Sequence, residues 1–295
     1  MARERPLGGR PDVVATGGGG CGCGGTIVER AARGVPGTVT SVQVDLLFDP
    51  FGGRWEDLRD AAVLADDAGI DGLWLYDHLA GSVHGAPHVL ECWTILSAVA
   101  AAVPRLMVGS LVLNVANRAA GTLAVMASTL QEVSGGRLLL GVGAGGGMGT
   151  PYAAEQVALG RGVPGDAVRR AAVEATIATL RQVWSGAAGG AAGFLRPDPV
   201  PPVIVGGFGP KMAELAGRLG DGINAPAGPS LARLIDIARE AHARSGRDPD
   251  RFLVTTSGSP TDVRLSSLDV HRVITTVRPP YTPAVGRLAD TLGRR

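Results

Sequence analysis

The sequence predicts an α/β chain closed as a (β/α)8 TIM barrel, on three observations. From residue 41 onward, short strand patterns alternate with helix patterns. Several of those strands are continuous apolar runs, as parallel strands covered on both faces should be. Eight strands fall within roughly 250 residues, the usual size of a closed barrel. An open doubly wound sheet also fits an alternating βαβ pattern, and the count of eight favours the barrel.

The elements follow in order. "SVQVDLLF" (41–48) reads as the first strand. "WEDLRDAAVLADDAG" (55–69) has apolar residues spaced by three and four and a glycine stop, so it reads as a helix. Strand "DGLWLY" (71–76), helix "VLECWTILSAVAAAV" (89–103), strand "RLMVGSLVL" (105–113) and helix "AGTLAVMASTLQEVSGG" (120–136) follow. The fourth strand is "RLLLGVG" (137–143), and "DAVRRAAVEATIATLRQVWSG" (166–186) is a long amphipathic helix. "PPVIVGG" (201–207), "DGINAP" (221–226) and "RFLVTTSG" (251–258) are strands five to seven, separated by helices over 210–220 and 230–246. "DVHRVITTV" (269–277) is the eighth strand, and "AVGRLADTLG" (284–293) the closing helix.

Composition excludes some functions. There are 28 basic and 27 acidic residues, net charge +1, so no electrostatic partner such as nucleic acid or an anionic membrane is implied. The longest apolar helix pattern, "CWTILSAVAAAV" (92–103), is too short to span a bilayer and stops at Pro104. Three cysteines argue against a disulfide framework and fit a reducing cytoplasm. Cys21 and Cys23 form a C-x-C, but no second His or Cys pair lies near them, so no metal site is read. Residues 1–40 are Gly- and Arg-rich, without periodicity and without a signal-peptide core; they are expected to be a disordered extension before a single domain over 41–295.

In a barrel, ligands sit at the carboxyl ends of the strands. "GLWLYDHL" (72–79) breaks from an apolar run into Asp77 and His78 at such an end. Asn114, Gly143–Gly147, Gly206–Gly209 and Asn224 follow the third to sixth strands and would converge on the same mouth. Histidine is the side chain best suited to proton transfer at neutral pH, which makes His78 a candidate acid/base. His84 and His88 lie in the next loop, whereas His242, on a polar helix face, and His271 read as structural. Glu91 reads as a helix-start carboxylate. "GVGAGG" (141–146) matches G-x-G-x-x-G; it fits a dinucleotide fingerprint, a strand end a flat cofactor can approach, or a plain turn. "VGGFGPKMAEL" (205–215) is a strand, a glycine loop and a helix start near Pro210, the pattern of a phosphate site.

Five stretches in order carry a resemblance: "GLWLYDHL" (72–79), 90–114, "STLQEVSGGRLLLGVGAGG" (128–146), "LRQVWSG" (180–186) and 201–224. Together they resemble the luciferase-like flavin- and deazaflavin-dependent oxidoreductases, from about residue 42 to 226 and weakly beyond. The resemblance implies a barrel, a homodimer, and a flavin-type cofactor in the mouth with its phosphate on Gly206, Gly207, Phe208 and Gly209. Leu111 and Val112 would back the ring, often through a bulged or cis peptide, with Asn114, Gly143 and Gly145 beside it. The Asp77–His78 pair is that of the branch using the deazaflavin F-420, with His78 as acid/base and Asp77 contacting the cofactor or holding the His tautomer.

Departures from the family pattern shape the expectations. Some deazaflavin sugar dehydrogenases carry a Glu just after the fourth-strand glycines; here Gly145, Gly146 and Gly147 stand there, which speaks against sugar oxidation. The loop 144–165 is short and Gly-rich, the segment before the fifth strand is cut to "GFLRPDPVPP" (193–202), and only "SPTDVRLSSL" (259–268) joins strands seven and eight. The barrel is therefore expected to be trimmed between those strands. The expected function is hydride transfer between F-420 and a small organic substrate. The alternatives are a reduced-FMN monooxygenase fed by a separate reductase, a non-catalytic binding member and a Rossmann dehydrogenase. Trp74, Tyr152 and Phe208 are candidate lining residues, with core packing equally open for Trp74.

Overall fold

The computed structural model describes residues 42–293. The predicted extension over 1–40, with Cys21 and Cys23, lies outside them. The chain divides into two units, and every described residue belongs to the second, Pro36–Arg295.

The strands are β1 (Gln43–Phe48), β2 (Gly72–Leu75), β3 (Met107–Ser110), β4 (Leu113–Asn114), β5 (Leu138–Gly143), β6 (Val203–Gly206), β7 (Gly222–Pro226), β8 (Leu253–Ser257) and β9 (Arg272–Val277). All pairings between them are parallel, and the order β3-β2-β1-β9-β8-β7-β6-β5-β4 closes through an additional β3–β5 pairing. The predicted third strand is thus two pieces of one stave. Val108 and Gly109 pair with Leu138 and Leu139, and Leu113 and Asn114 pair with Val142 and Gly143. Between them the Leu111–Val112 peptide is cis.

Helices cover the outside: α1 (Trp55–Asp67), α2 (Cys92–Ala102), α3 (Ala120–Val133), α4 (Pro151–Ala158), α5 (Asp166–Trp184), α6 (Pro210–Leu219), α7 (Leu231–Arg244) and α8 (Tyr281–Thr291). Three differences from the sequence reading matter. The helix expected over 89–103 starts at Cys92, because the Glu91 carboxylate caps it by accepting from the Trp93 and Thr94 amides at 3.1 and 2.7 Å. The expected Gly-rich loop 144–165 contains α4, entered with Pro151 in its first turn. His242 is buried, not on a polar face: its ring nitrogens lie 3.1 and 3.0 Å from the Gly217 and Asp248 carbonyls. The crossover between β8 and β9 is a short 3-10 segment, Val263–Leu268, in place of an α-helix, and residues 187–202 hold no helix or strand.

Alternation sorts the strand side chains into two layers. Leu73 and Leu75 face the helices; Leu47, Trp74, Leu139, Ile204 and Ile274 fill the barrel interior. Trp74 is wholly buried there, so it is core and not a mouth residue. Gly109 makes the space: a Cβ on it would lie 2.4 Å from Trp74 Cε3. Below this layer Trp74 Nε1 donates to Asp45 Oδ2 at 2.7 Å, and Arg272 donates through Nε and Nη2 to both Asp45 oxygens at 2.6 and 2.7 Å. The floor of the barrel is therefore a closed ion pair, and the open chemistry is left to the opposite end.

Candidate active site

The interior face of β2 continues past its end. Trp74, Tyr76 and His78 share one face, while Leu75 and Asp77 share the other. His78 emerges at the carboxyl end of the barrel in an aromatic cage. Its ring is 5.3 Å from Phe51, stacked at 5.3 Å on Tyr152, 6.2 Å from Tyr76 and 6.0 Å from His84. His84 in turn lies 4.5 Å from Phe51 and 5.9 Å from Tyr152. His88 is turned away, with Nε2 2.9 Å from the Gly53 carbonyl. His271 accepts from the Val254 amide through Nδ1, and burial, foremost, lowers its pKa; it is a structural residue.

The partner of His78 is Glu155 on α4, not Asp77. Nδ1 lies 3.1 Å from Glu155 Oε1, and Glu155 Oε2 accepts from the Leu79 and Ala80 amides at 2.8 and 3.3 Å. Burial pushes the Glu155 carboxyl up, but the hydrogen bond from His78 and those from the two amides outweigh it and hold the group below its ordinary value.

Asp77 faces the strand–helix layer. Its Oδ2 accepts from the Asn114 amide at 2.9 Å and Asn117 Nδ2 at 3.0 Å, and both oxygens receive Arg118, each at 2.9 Å. Arg118 also pairs with Glu91, so two carboxylates clamp one guanidinium. Burial opposes the Arg118 charge, yet Asp77 and Glu91 together raise its pKa above the ordinary value. The Asp77 side chain has no exposed surface, so it neither reaches a ligand in the mouth nor holds the His78 tautomer. Its contacts fix the loop after β4. That loop is tied to α4 as well, for Asn117 Oδ1 accepts from Gln156 Nε2 at 2.6 Å and from Arg161 Nη1 at 3.1 Å.

The other strand ends form a smooth rim. Val112 lies over two glycines: a Cβ on Gly143 would stand 2.5 Å from Val112 Cγ2, and one on Gly206 would stand 2.8 Å from both its methyls. Leu111, beside it, is buried in the interior cluster. Gly145 has φ +67°, and a Cβ there would meet Asn114 Nδ2 at 2.5 Å. A side chain at Gly146 would run into Tyr152 Cβ at 2.4 Å, so the fold-back of α4 leaves no room for an acid at that position. Asn224 points sideways, donating to Thr255 Oγ1 at 2.8 Å, and its carbonyl accepts from the Gly207 amide. Gly209 caps α6 with Pro210 in the first turn, Phe208 is 87% exposed beside it, and a Cβ on Gly209 would meet nothing within 4 Å. The Gly209 carbonyl takes the Met212 and Ala213 amides at 3.0 and 3.1 Å, so only the amides at the very start of the helix, which lack intrahelical acceptors, face the open space that suits an anionic group.

The structure thus brings His78, Val112, Gly143, Gly145 and the Gly206–Gly209 loop to one end of the barrel. Sequence reasoning missed Glu155, Arg118 and Asn117. Pro151 followed by a short helical stretch was the one available signal for α4. Among the described residues no group of three His, Cys, Asp or Glu is placed to hold a metal, and no helix is long and apolar enough to cross a membrane.

Comparison with known proteins agrees with this architecture. The chain is similar to an F-420-dependent glucose-6-phosphate dehydrogenase of Beutenbergia cavernae, at 31% identity over 208 residues, 67% of this chain and 60% of that one. It is similar to a 5,10-methylenetetrahydromethanopterin reductase of Archaeoglobus fulgidus at 27% identity over 214 residues, 68% of this chain and 58% of that one. The chain therefore spans less than two thirds of the length of these relatives. Among solved structures, an F-420-dependent secondary alcohol dehydrogenase superposes with a TM-score of 0.72 at 17% identity, over 84% of this chain and 97% of that one, which shows a shared fold. The sequence pattern of the luciferase-like monooxygenase family matches residues 34–262, and the chain belongs to that family.

Proposed function

We propose that the chain is an oxidoreductase that moves hydride between the deazaflavin F-420 and a small organic substrate, with His78 as the acid/base. The observation that carries the reading is the His78 imidazole itself. It stands at the carboxyl end of the barrel, bonded through Nδ1 to Glu155, with no hydrogen bond to Nε2 among the described residues. The relatives named for F-420 support it, as does the resemblance of the Asp77–His78 segment to that branch.

The residues present fit such a group. The glycine strand ends under Val112 give a low surface, and the space before α6 is open at Gly209. Leu111, Val112, Gly143 and Gly145 would lie along the ring, and Gly206–Gly209 with Phe208 would hold the phosphate. When bound, the deazaflavin supplies two-electron hydride chemistry. His78 Nε2 takes the substrate proton in oxidation and returns one in reduction. Phe51, Tyr76, His84 and Tyr152 wall it from bulk water. Asp77 keeps Arg118, the Asn114 amide and the loop after β4 in place at the same strand end.

The test is parallel binding of F-420 and FMN to the purified chain, by fluorescence quenching, followed by turnover of the F-420-bound enzyme on small alcohols and carbonyl compounds. Tight F-420 binding with weak FMN binding is expected, and His78→Ala should lower turnover by at least about a hundredfold. FMN binding with oxygen consumption would select the monooxygenase alternative, and binding of neither would leave a non-catalytic member. A His78→Ala enzyme within threefold of wild type would remove the acid/base role.

A further inference from the structure

We infer that Glu155 is a positioning residue: it fixes neutral His78 as the Nδ1–H tautomer, which leaves Nε2 as the proton-accepting atom at the mouth. The inference deepens the reading of His78 as acid/base and rests on it for its catalytic consequence. Its structural content stands without any cofactor.

Donors and acceptors around the ring decide its tautomer. An ionised carboxylate only accepts hydrogen bonds, whereas each nitrogen of a neutral imidazole either donates or accepts. Glu155 Oε2 already takes two backbone amides, and Oε1 lies 3.1 Å from His78 Nδ1. The side chain is 1% exposed, so water does not compete for it. Its carboxyl is held below the ordinary value and is charged at neutral pH. Nδ1 must then carry the hydrogen, and in the neutral ring the lone pair falls on Nε2.

Among the described residues no other group competes for this role. The side chains facing the ring are Glu155 and Tyr152 from α4, Tyr76 from the end of β2, Phe51 from the loop after β1, and His84 from the 3-10 turn Gly81–His84. Of these, Glu155 alone is a carboxylate, and the neighbouring Asp77 is turned to Arg118. Glu155 reaches His78 from 77 residues away, so α4 acts as the support of a residue on β2. The helix has a second fastening, from Gln156 to Asn117, backed by Arg161 just beyond its end, and does not depend on Glu155 alone.

The experiment is nitrogen-15 NMR of the full chain, labelled at histidine and free of cofactor, with the His78 signals assigned by their loss in His78→Gln. Wild type, measured above the pH at which the ring loses its charge, should show Nδ1 protonated and Nε2 bare. In Glu155→Gln the amide can either accept from or donate to Nδ1, so a mixture of tautomers should appear. With F-420 bound, kcat of the same variant should fall by about tenfold or more, with KM for the substrate within about threefold. A wild-type ring protonated on Nε2, or a tautomer unchanged in Glu155→Gln, would overturn the inference. Should the chain use another cofactor or none, the tautomer measurement still decides it, so failure of the F-420 reading is separately visible.

Discussion

Asp45 sits at the sealed end of the barrel and is the sharpest test of how this fold holds together. Its carboxylate is fully buried and takes three hydrogen bonds, two from Arg272 and one from Trp74. Arg272 is 4% exposed, so its charge has no recourse to water. Asp45→Asn keeps the shape and removes the charge. It leaves a buried guanidinium facing an amide, one of whose two positions is itself a donor. Breaking a buried pair from one side costs about 3–5 kcal/mol, because an uncompensated charge remains. Against a total stability of about 5–15 kcal/mol, that is a large fraction. At about 2–4 °C per kcal/mol for a domain this size, the melting temperature should drop by about 6–20 °C. Urea unfolding followed by Trp fluorescence and circular dichroism measures it. Removing both charges, in Asp45→Leu with Arg272→Met, should cost less than Asp45→Asn alone, since no lone ion is then buried. A loss under about 1 kcal/mol for Asp45→Asn, or a double variant that costs more than Asp45→Asn alone, would refute the reasoning.

Two further outcomes follow from the mouth. Gly145→Ala places a Cβ at φ +67° and within 2.5 Å of Asn114 Nδ2, so it should cost about 1–3 kcal/mol in urea unfolding and weaken F-420 binding in the quenching assay. Glu155 supplies a pH dependence of known sign. Its folded pKa lies below the ordinary 4.5, so its contact with His78 stabilises fully above the unfolded value and is lost as pH falls through the folded one. The stability gap between wild type and Glu155→Gln, measured by urea unfolding from pH 7 down to pH 3, should therefore be fully present above the ordinary carboxyl value and narrow as pH falls below it.

The barrel was readable from periodicity because each strand announces itself locally, as an apolar run followed by a glycine or a polar break. The helix α6 and its Gly209 cap were readable for the same reason: glycine, then proline, then an amphipathic stretch is a purely local pattern. What escaped was the pairing of charges across the chain. The motif Asp77–His78 suggests that the two neighbours work together, and geometry forbids it. In an extended segment adjacent side chains point to opposite faces. Trp74, Tyr76 and His78 follow the interior, so Leu73, Leu75 and Asp77 must follow the helix layer, where Arg118, itself paired with Glu91, meets the Asp77 carboxylate. That parity was available in "GLWLYDHL" and excludes Asp77 as the orienter of His78. The identity of the true partner was not available, because nothing local ties Glu155 to a residue 77 positions earlier. Its helix is only 8 residues long and emerges from a run of glycines, two of which are required by the fold-back itself: Gly145 by its positive φ and Gly146 by the approach of Tyr152. The glycines that looked like a missing acid are what let a different acid, Glu155, arrive at the same histidine.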